Sequence, residues 1–434
     1  MPWYVRWPYD LILWLALPLV WLRLMWRTRR SPDYGKRRAE RLGSIPDDLP
    51  QGAVWFHSVS AGETIAVAPL IRALAERHPQ LPVLVTTMTP TGSAQVQRLL
   101  GDQVAHCYAP YDFSFAVERF LRRARPRMLV LMETELWPNL IARSKRHGLN
   151  VLVINARLSA RSARGYARIG WLTRAMLSQI DLIACQYPDH LRRFQELGLP
   201  ADRGLVLGNV KFDAELPPSH AAEVAALRRQ WPLSGPVWIA ASTHDGEDQP
   251  VLDAHRQLRQ RVPEAVLILV PRHPERFAET LALARAQGFA TQALSEGPVD
   301  GPLEVLVGDT MGQLLQLYAL ADVAFVGGSL VPVGGHNPIE PALVGVPILM
   351  GPHDFNFKDV VTPFADAGCL VQLPDAGALA DALQTWLAAP DLARQLGALA
   401  ARVVREQRGA GERLLQLLES QLTFASDDGD APAG

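Results

Sequence analysis

The chain has 434 residues, 48% hydrophobic and 20% charged, with a formal net charge of −1. That balance excludes a disordered polyelectrolyte and offers no electrostatic footing for a nucleic-acid binder. The length exceeds what one ordinary core organises, and it predicts two domains of roughly 200 residues each.

The N-terminus departs from this average. Leu11 to Leu22 is wholly apolar, Trp3, Trp7, Trp14, Trp21 and Trp26 are five of the eleven tryptophans, and Arg23, Arg27, Arg29 and Arg30 follow at once. Tryptophan favours the membrane–water interface, and a basic flank orients a segment with that flank in the cytoplasm. Residues 1–30 therefore read as a membrane anchor holding the globular part on the cytoplasmic side. Bounded by Asp10 and Arg23, the apolar run is shorter than the ~20 residues that cross the hydrocarbon core, so a tilted span and an interfacial helix are both open. The charges follow the run rather than precede it, which disfavours a cleaved signal peptide; a hydrophobic packing helix is the plain alternative.

From Ala53 to about Gly208, short apolar runs alternate with longer amphipathic stretches: Val54-Trp55-Phe56, Val83-Leu84-Val85, Met128-Leu129-Val130-Leu131, Val151-Leu152-Val153-Ile154 and Leu182-Ile183-Ala184. After the polar, proline-bearing stretch Asn209 to Ser219 the pattern restarts with Val237 to Ala240, Val266 to Val270, Leu303 to Val307, Val323 to Val326 and Val346 to Met350. The alternation predicts two α/β domains with parallel sheets, over residues 31–215 and 216–425, and a polar, disordered tail over 426–434. Cys107, Cys185 and Cys369 are odd in number and far apart, so neither a disulfide framework nor a zinc site is indicated.

Several polar clusters stand where those runs end, which in open parallel sheets is where ligands bind. Glu63 follows Val54 to His57 and a small-residue loop; a carboxylate there could take a proton from an attacking hydroxyl, or merely cap the next helix. His57 could orient acceptor groups but reads better as satisfying backbone at the strand end. Glu133 and Glu135 follow Met128 to Met132, a place where carboxylates are costly without partners. Arg272 and His273 end the run Val266 to Val270, and the arginine fork suits a phosphate or a base edge, unless the pair is a surface turn. Met311 and Gly312 read as one helix start and Asn337 to Glu340 as another, offering N–H groups to a phosphate. Gly327, Gly328, Gly334 and Gly335 allow close backbone approach, Pro338 suits a first helical turn, and Glu340 is placed to accept from ribose hydroxyls; an ordinary strand-to-helix turn would use the same residues. None of these clusters contains Asp-x-Asp and no His-x-x-x-His occurs, which disfavours a metal-dependent mechanism.

In chain order, His57 to Glu63, Met132 to Asn139, Gly208 to Asp213, Pro271 to Arg276, Gly308 to Gly312 and Val326 to Ala342 resemble the motifs of the GT-B glycosyltransferases. Within that group they resemble the 3-deoxy-D-manno-octulosonic acid (Kdo) transferases of Gram-negative lipopolysaccharide assembly, over nearly the whole chain. The resemblance implies a GT-B fold, two Rossmann-like domains facing across a cleft. It implies CMP-Kdo as donor substrate with no cofactor or metal, and a lipid A precursor as acceptor among the lipids of the inner membrane. It also implies Glu63 as general base, a transition-state role for Glu133, and Lys211, otherwise a solvated linker lysine, as the cationic partner. Donor contacts are implied at Arg272, His273, Met311, Gly312, Gln313, Asn337, Pro338, Ile339 and Glu340, although Gln313 departs from the acidic residue of the family pattern. The rival expectations are a UDP-sugar transferase or epimerase of the same fold, and a non-catalytic membrane scaffold, which the presence of Glu63 and the Arg272-His273 pair disfavours.

Overall fold

The computed structural model describes residues 1, 3–231, 233, 235–298 and 301–427. The chain divides into two compact units, one of Met1–Asp213 joined by the segment from Arg408 onward, the other of Ala214–Gln407.

In the first unit the strands are β1 (Val54–His57), β2 (Val83–Thr87), β3 (Ala105–Tyr108), β4 (Met128–Met132), β5 (Asn150–Ala156), β6 (Leu182–Cys185) and β7 (Gly204–Val206). They form one parallel sheet in the order β3-β2-β1-β4-β5-β6-β7. The second unit repeats the plan with β8 (Val237–Thr243), β9 (Val266–Pro271), β10 (Thr291–Ala293), β11 (Val305–Val307), β12 (Val323–Val326), β13 (Ile348–Met350) and β14 (Leu370–Gln372), ordered β10-β11-β9-β8-β12-β13-β14. Each sheet is the doubly wound kind expected from the sequence. Central strands are covered on both faces by helices, so every residue of β1, β4, β8 and β12 is buried; β4 and β12 are apolar throughout, and β1 and β8 turn polar only at their carboxyl ends, His57 and Ser242-Thr243. The strand order reverses between β1 and β4 in the first unit and between β8 and β12 in the second, and such switch points open a crevice at the carboxyl ends of the strands.

Three expectations are corrected. The sequence reading found the central strands but none of β3, β7, β10 and β14, which are the edge strands of the two sheets. They are short and partly exposed, so they lack the apolar runs that mark a doubly covered strand. The second unit also ends at Gln407 rather than near 425. The helix Ala410–Asp427 returns to the first unit, where Leu414, Leu415 and Leu418 share a core with Val67, Ile71 and Leu74. Asp213 fastens that return, accepting from Gly409 N at 2.6 Å and Gly411 N at 2.5 Å. Periodicity shows that a helix has an apolar face without showing which sheet the face covers. Finally, Ser426 and Asp427 belong to this helix rather than to a polar tail, and 428–434 lie outside the described residues.

The anchor segment is one helix, Trp3–Arg30, in which Tyr4–Arg29 is long and apolar enough to cross a membrane at 26 residues. Asp10 does not simply bound its apolar run. Asn139 Nδ2 and Ser114 Oγ donate to Asp10 Oδ1 at 2.6 and 2.9 Å, and Tyr9 Oη donates to Asp112 Oδ2 at 2.8 Å. Trp14 lies 5.5 Å from the Phe115 ring and Leu24 is buried, while Trp7, Leu11, Leu15, Leu19, Leu22 and Trp26 are exposed. Leu11, Leu15, Leu19, Leu22 and Trp26 recur every three or four residues and share one helix face.

Candidate functional site

Strand β1 ends at His57, and the chain passes through Ser58 and Val59 to Ser60, the N-cap of the helix Ala61–Arg77. Ser60 Oγ accepts from Glu63 N at 3.3 Å and donates to Glu63 Oε1 at 2.7 Å, while Val59 N donates to Glu63 Oε2 at 2.9 Å. Glu63 is therefore the capping glutamate that the plain reading expected, and the cap fixes where its carboxylate points. Burial raises its pKa to about 7, with Glu135 and Glu133 adding repulsion and the Ser60 and Val59 hydrogen bonds opposing. A carboxyl group that titrates near neutrality is suited to general-base work. His57, by contrast, is fully buried. Its Nδ1 meets Thr86 Oγ1 at 2.9 Å, its ring stands edge-on to Trp137, and burial presses its pKa down to about 3, so it is a neutral packing residue whose partner is a side-chain hydroxyl rather than backbone.

Strand β4 delivers Glu133 in the left-handed region at φ 49°, and Asn155 at the end of β5 has the same φ. Such a conformation costs roughly 1–3 kcal/mol in a residue with a Cβ and persists where the surroundings fix it. Glu133 Oε1 accepts from Lys211 Nζ at 3.2 Å, and Arg157 Nη1 is 3.8 Å from Oε2. Lys211 is held by its own short turn, Val210–Asp213, in which Asn155 Oδ1 accepts from Val210 N at 3.2 Å. It is thus no solvated linker residue. Trp137 Nε1 donates to Glu135 at 2.9 Å, and burial raises the Glu135 pKa against that bond, with Glu133 adding. The structure brings Glu63, Glu133, Glu135, Arg157 and Lys211 to the carboxyl ends of neighbouring strands of one sheet.

In the second unit the organising residue is one the sequence reading passed over. Glu247 is completely buried and accepts from His244 N at 2.8 Å, Gly328 N at 2.6 Å, Ser329 N at 3.0 Å and Leu330 N at 2.9 Å. One carboxylate thus clamps the loop after β8 to the glycine-rich loop after β12. Gly328, at φ +66°, is required there, because a Cβ would stand 2.9 Å from His336 Cδ2. Beside this clamp, Arg272 N donates to Thr243 O at 3.0 Å, which seats the Arg272-His273 turn. Asn337 Oδ1 accepts from Ile339 N at 3.2 Å, Pro338 is the N-cap of the helix Ile339–Leu343, and Glu340 lies in its first turn. Burial raises the Glu340 pKa, opposed by the Asn337 hydrogen bond and the Arg272 charge, so these three side chains act on one another.

Met311 and Gly312 do not start a helix. Gly312 turns the chain at φ +86°, Met311 is 65% exposed, Gln313 is the N-cap, and the helix runs from Leu314 to Tyr318. A left-handed glycine cannot continue a right-handed turn, which moves the start beyond it. This helix and Ile339–Leu343 are five residues each, too short for much macrodipole. Among the described residues no group of three or more His, Cys, Asp or Glu is arranged to hold a metal ion.

The family model described as "3-Deoxy-D-manno-octulosonic-acid transferase (kdotransferase)" matches residues 36–214. The chain is 40% identical to the 3-deoxy-D-manno-octulosonic acid transferase of Haemophilus influenzae over 96% of this chain and 99% of that protein. It is 38% identical to the transferase of that name from Bordetella pertussis, over 95% and 99%. Among solved structures, UDP-GlcNAc 2-epimerase from Neisseria meningitidis bound to UDP-GlcNAc shares the fold, with a TM-score of 0.57 at 12% identity, covering 85% of this chain and 100% of that one.

Proposed function

Because the chain belongs to the family of the 3-deoxy-D-manno-octulosonic acid transferases, we propose that it moves Kdo from CMP-Kdo to a lipid A precursor such as lipid IVA, in lipopolysaccharide core assembly. The observation that carries the reading is Glu63, a carboxylate aimed by its own helix cap and titrating near neutrality beside Glu133 and Lys211. An acceptor hydroxyl oxygen attacks the anomeric carbon of Kdo, the bond from that carbon to the phosphate oxygen breaks, and CMP leaves with the bonding pair. The proton of the attacking hydroxyl goes to Glu63, whose affinity for it is already high at neutral pH. Lys211, fixed by Glu133, supplies positive charge as the leaving phosphate becomes more anionic.

The donor is held by the second unit. Glu340, with Asn337 and Arg272 beside it, accepts from the ribose hydroxyls, and the backbone around Gly312 and Gln313 meets the phosphate. The helix Trp3–Arg30 keeps the enzyme at the cytoplasmic face of the inner membrane through its exposed Trp and Leu side chains, with Arg23, Arg27 and Arg29 beside anionic headgroups.

The test is direct: purified protein is incubated with CMP-Kdo and lipid IVA, and the lipid is weighed by mass spectrometry. A gain of one or more Kdo units supports the reading. An unchanged lipid, with turnover of a UDP-sugar in parallel, would replace it.

A further inference from the structure

Three histidines of the second unit converge on one point of its sheet, and the family resemblance implies only one of them, His273, as a donor contact. His244 follows β8, His273 follows β9 and His336 lies in the loop after β12; these are adjacent strands, in the order β9-β8-β12 that spans the switch point. The rings of His244 and His336 lie edge to edge in nearly one plane, with centroids 5.0 Å apart and planes 9° from parallel, and their Nε2 atoms are 2.8 Å apart. His273 stands edge-on to His244 at 5.2 Å. A separation of 2.8 Å between two ring nitrogens needs a proton between them, so one ring carries hydrogen on Nε2 and the other accepts there. The pair is not accidental to the fold: Glu247 fixes both loops, and the missing Cβ of Gly328 leaves room for both rings.

In the free protein His244 and His336 hold their protons poorly. Burial lowers the His244 pKa, with Glu247 opposing and His273, Arg272 and Arg276 adding, and burial takes that of His336 down to about 4, with His244, Arg272 and His273 adding. The charged groups facing the pair are Arg272, His273 and Arg276 from the β9 side and Glu247 from the His244 loop itself. Glu247 is committed to four backbone N–H groups, and Arg276 to Asp248 at 2.6 Å. His244 and His336 are both partly exposed, as is the Arg272-His273 turn. An arriving anion with several acceptor oxygens would therefore find donors in place and a shared proton to be joined by a second.

We propose that His244, His336 and His273 form a proton-collecting receptor for the phosphate of the bound nucleotide, so that nucleotide binding takes up a proton from solution. The proposal rests on the reading of the second unit as the nucleotide-binding one. A phosphate monoester carries close to two negative charges at neutral pH. Placed against the row, it offsets the repulsion that keeps the second proton off the pair, and the doubly protonated imidazole then donates to a phosphate oxygen. Uptake is the diagnostic sign, because a cationic site acting on the phosphate alone would favour its dianion and release protons.

Calorimetry of the full chain in detergent at pH 7, in Tris and in HEPES, measures this. CMP, UMP and cytidine are the probes. The heat of CMP binding should vary with the ionisation heat of the buffer in the direction of uptake, and the heat of cytidine binding should not. His244→Gln and His336→Gln should each abolish the uptake and weaken CMP by about 10- to 100-fold, the scale of a lost charge-assisted hydrogen bond, while leaving cytidine binding unchanged. Buffer-independent CMP heat in the unaltered protein overturns the receptor, and so does CMP affinity that survives both substitutions. Uptake with UMP but not CMP upholds the receptor and overturns the cytidine nucleotide as donor. Failure of both nucleotides to bind overturns both.

Discussion

Replacing Glu63 by Gln removes the proposed base while keeping the shape of the cap, and it should be read in two ways. In catalysis, loss of a general base costs about 10²-fold or more in turnover. With a pKa of about 7, the rate of the unaltered enzyme should fall about tenfold per pH unit below neutrality, and this limb should vanish in Glu63→Gln. The same shift has a consequence for stability. A carboxyl whose folded pKa is raised binds more protons folded than unfolded, so it stabilises below the unfolded value and loses that contribution as pH rises through the folded one. Between an unfolded value of 4.5 and a folded value of about 7, the contribution lost from pH 5 to pH 8 comes to about 2.5 kcal/mol. Glu63→Gln carries no such term, so its melting temperature relative to the unaltered protein should rise by several degrees across that interval. Scanning calorimetry at both pH values, beside product assays, decides the matter. Near-normal turnover, or a pH-independent difference in melting, would refute the reasoning.

Lys211→Met should lower kcat by about 10²-fold, and adding Glu133→Gln should cost little more, because the two act as one unit; a double-mutant cycle showing full additivity would separate them. Glu340→Ala should weaken CMP by roughly 1.5–3 kcal/mol in calorimetry and leave the affinity for the acceptor unchanged; unaltered CMP binding would make Glu340 a helix-start residue only. On the N-terminal helix, Leu15→Glu with Leu19→Glu should free the protein from sedimented membranes without changing its melting. Asp10→Ala should lower stability by about 1–3 kcal/mol, since Asn139 and Ser114 lose their acceptor, and leave membrane association intact; solubilisation by Asp10→Ala would show that the contact with the first unit is what holds the protein at the membrane.

The doubly wound sheets were legible because their central strands are covered on both faces and have to be apolar throughout, as Met128–Met132 and Val323–Val326 are. The same rule hides the edges. In β7 and β14 at least one residue is exposed, and runs of three such residues cannot be told from loop by pattern. The return of the chain at Arg408 was hidden for another reason: Asp213 and the backbone of Gly409 and Gly411 are far apart in sequence, and no local signal pairs them. Asp10 misled in the opposite direction. A charged residue beside an apolar run reads as its boundary, yet here it is the point at which the run is docked on Asn139 and Ser114.

The site shows the same division between what is local and what is not. Ser60-Ala61-Gly62-Glu63 comes soon after β1 and His244-Asp245-Gly246-Glu247 directly after β8, each four-residue stretch ending in Gly-Glu. Only the first drew notice, and by sequence alone the two differ little. What separates them is how many donors reach each carboxylate, which has room for about four hydrogen bonds. Glu63 accepts from Ser60 and Val59, both within its own turn, and keeps capacity for a substrate proton. Glu247 accepts from one neighbour, His244 N, and from Gly328, Ser329 and Leu330 of a loop more than eighty residues on, which fills it. One glutamate is thereby left with room for a further proton, as the proposed base role requires, and the other becomes the clamp between the loops after β8 and β12. That difference is made by the glycine-rich loop coming home to β8, so it belongs to the fold rather than to either four-residue stretch.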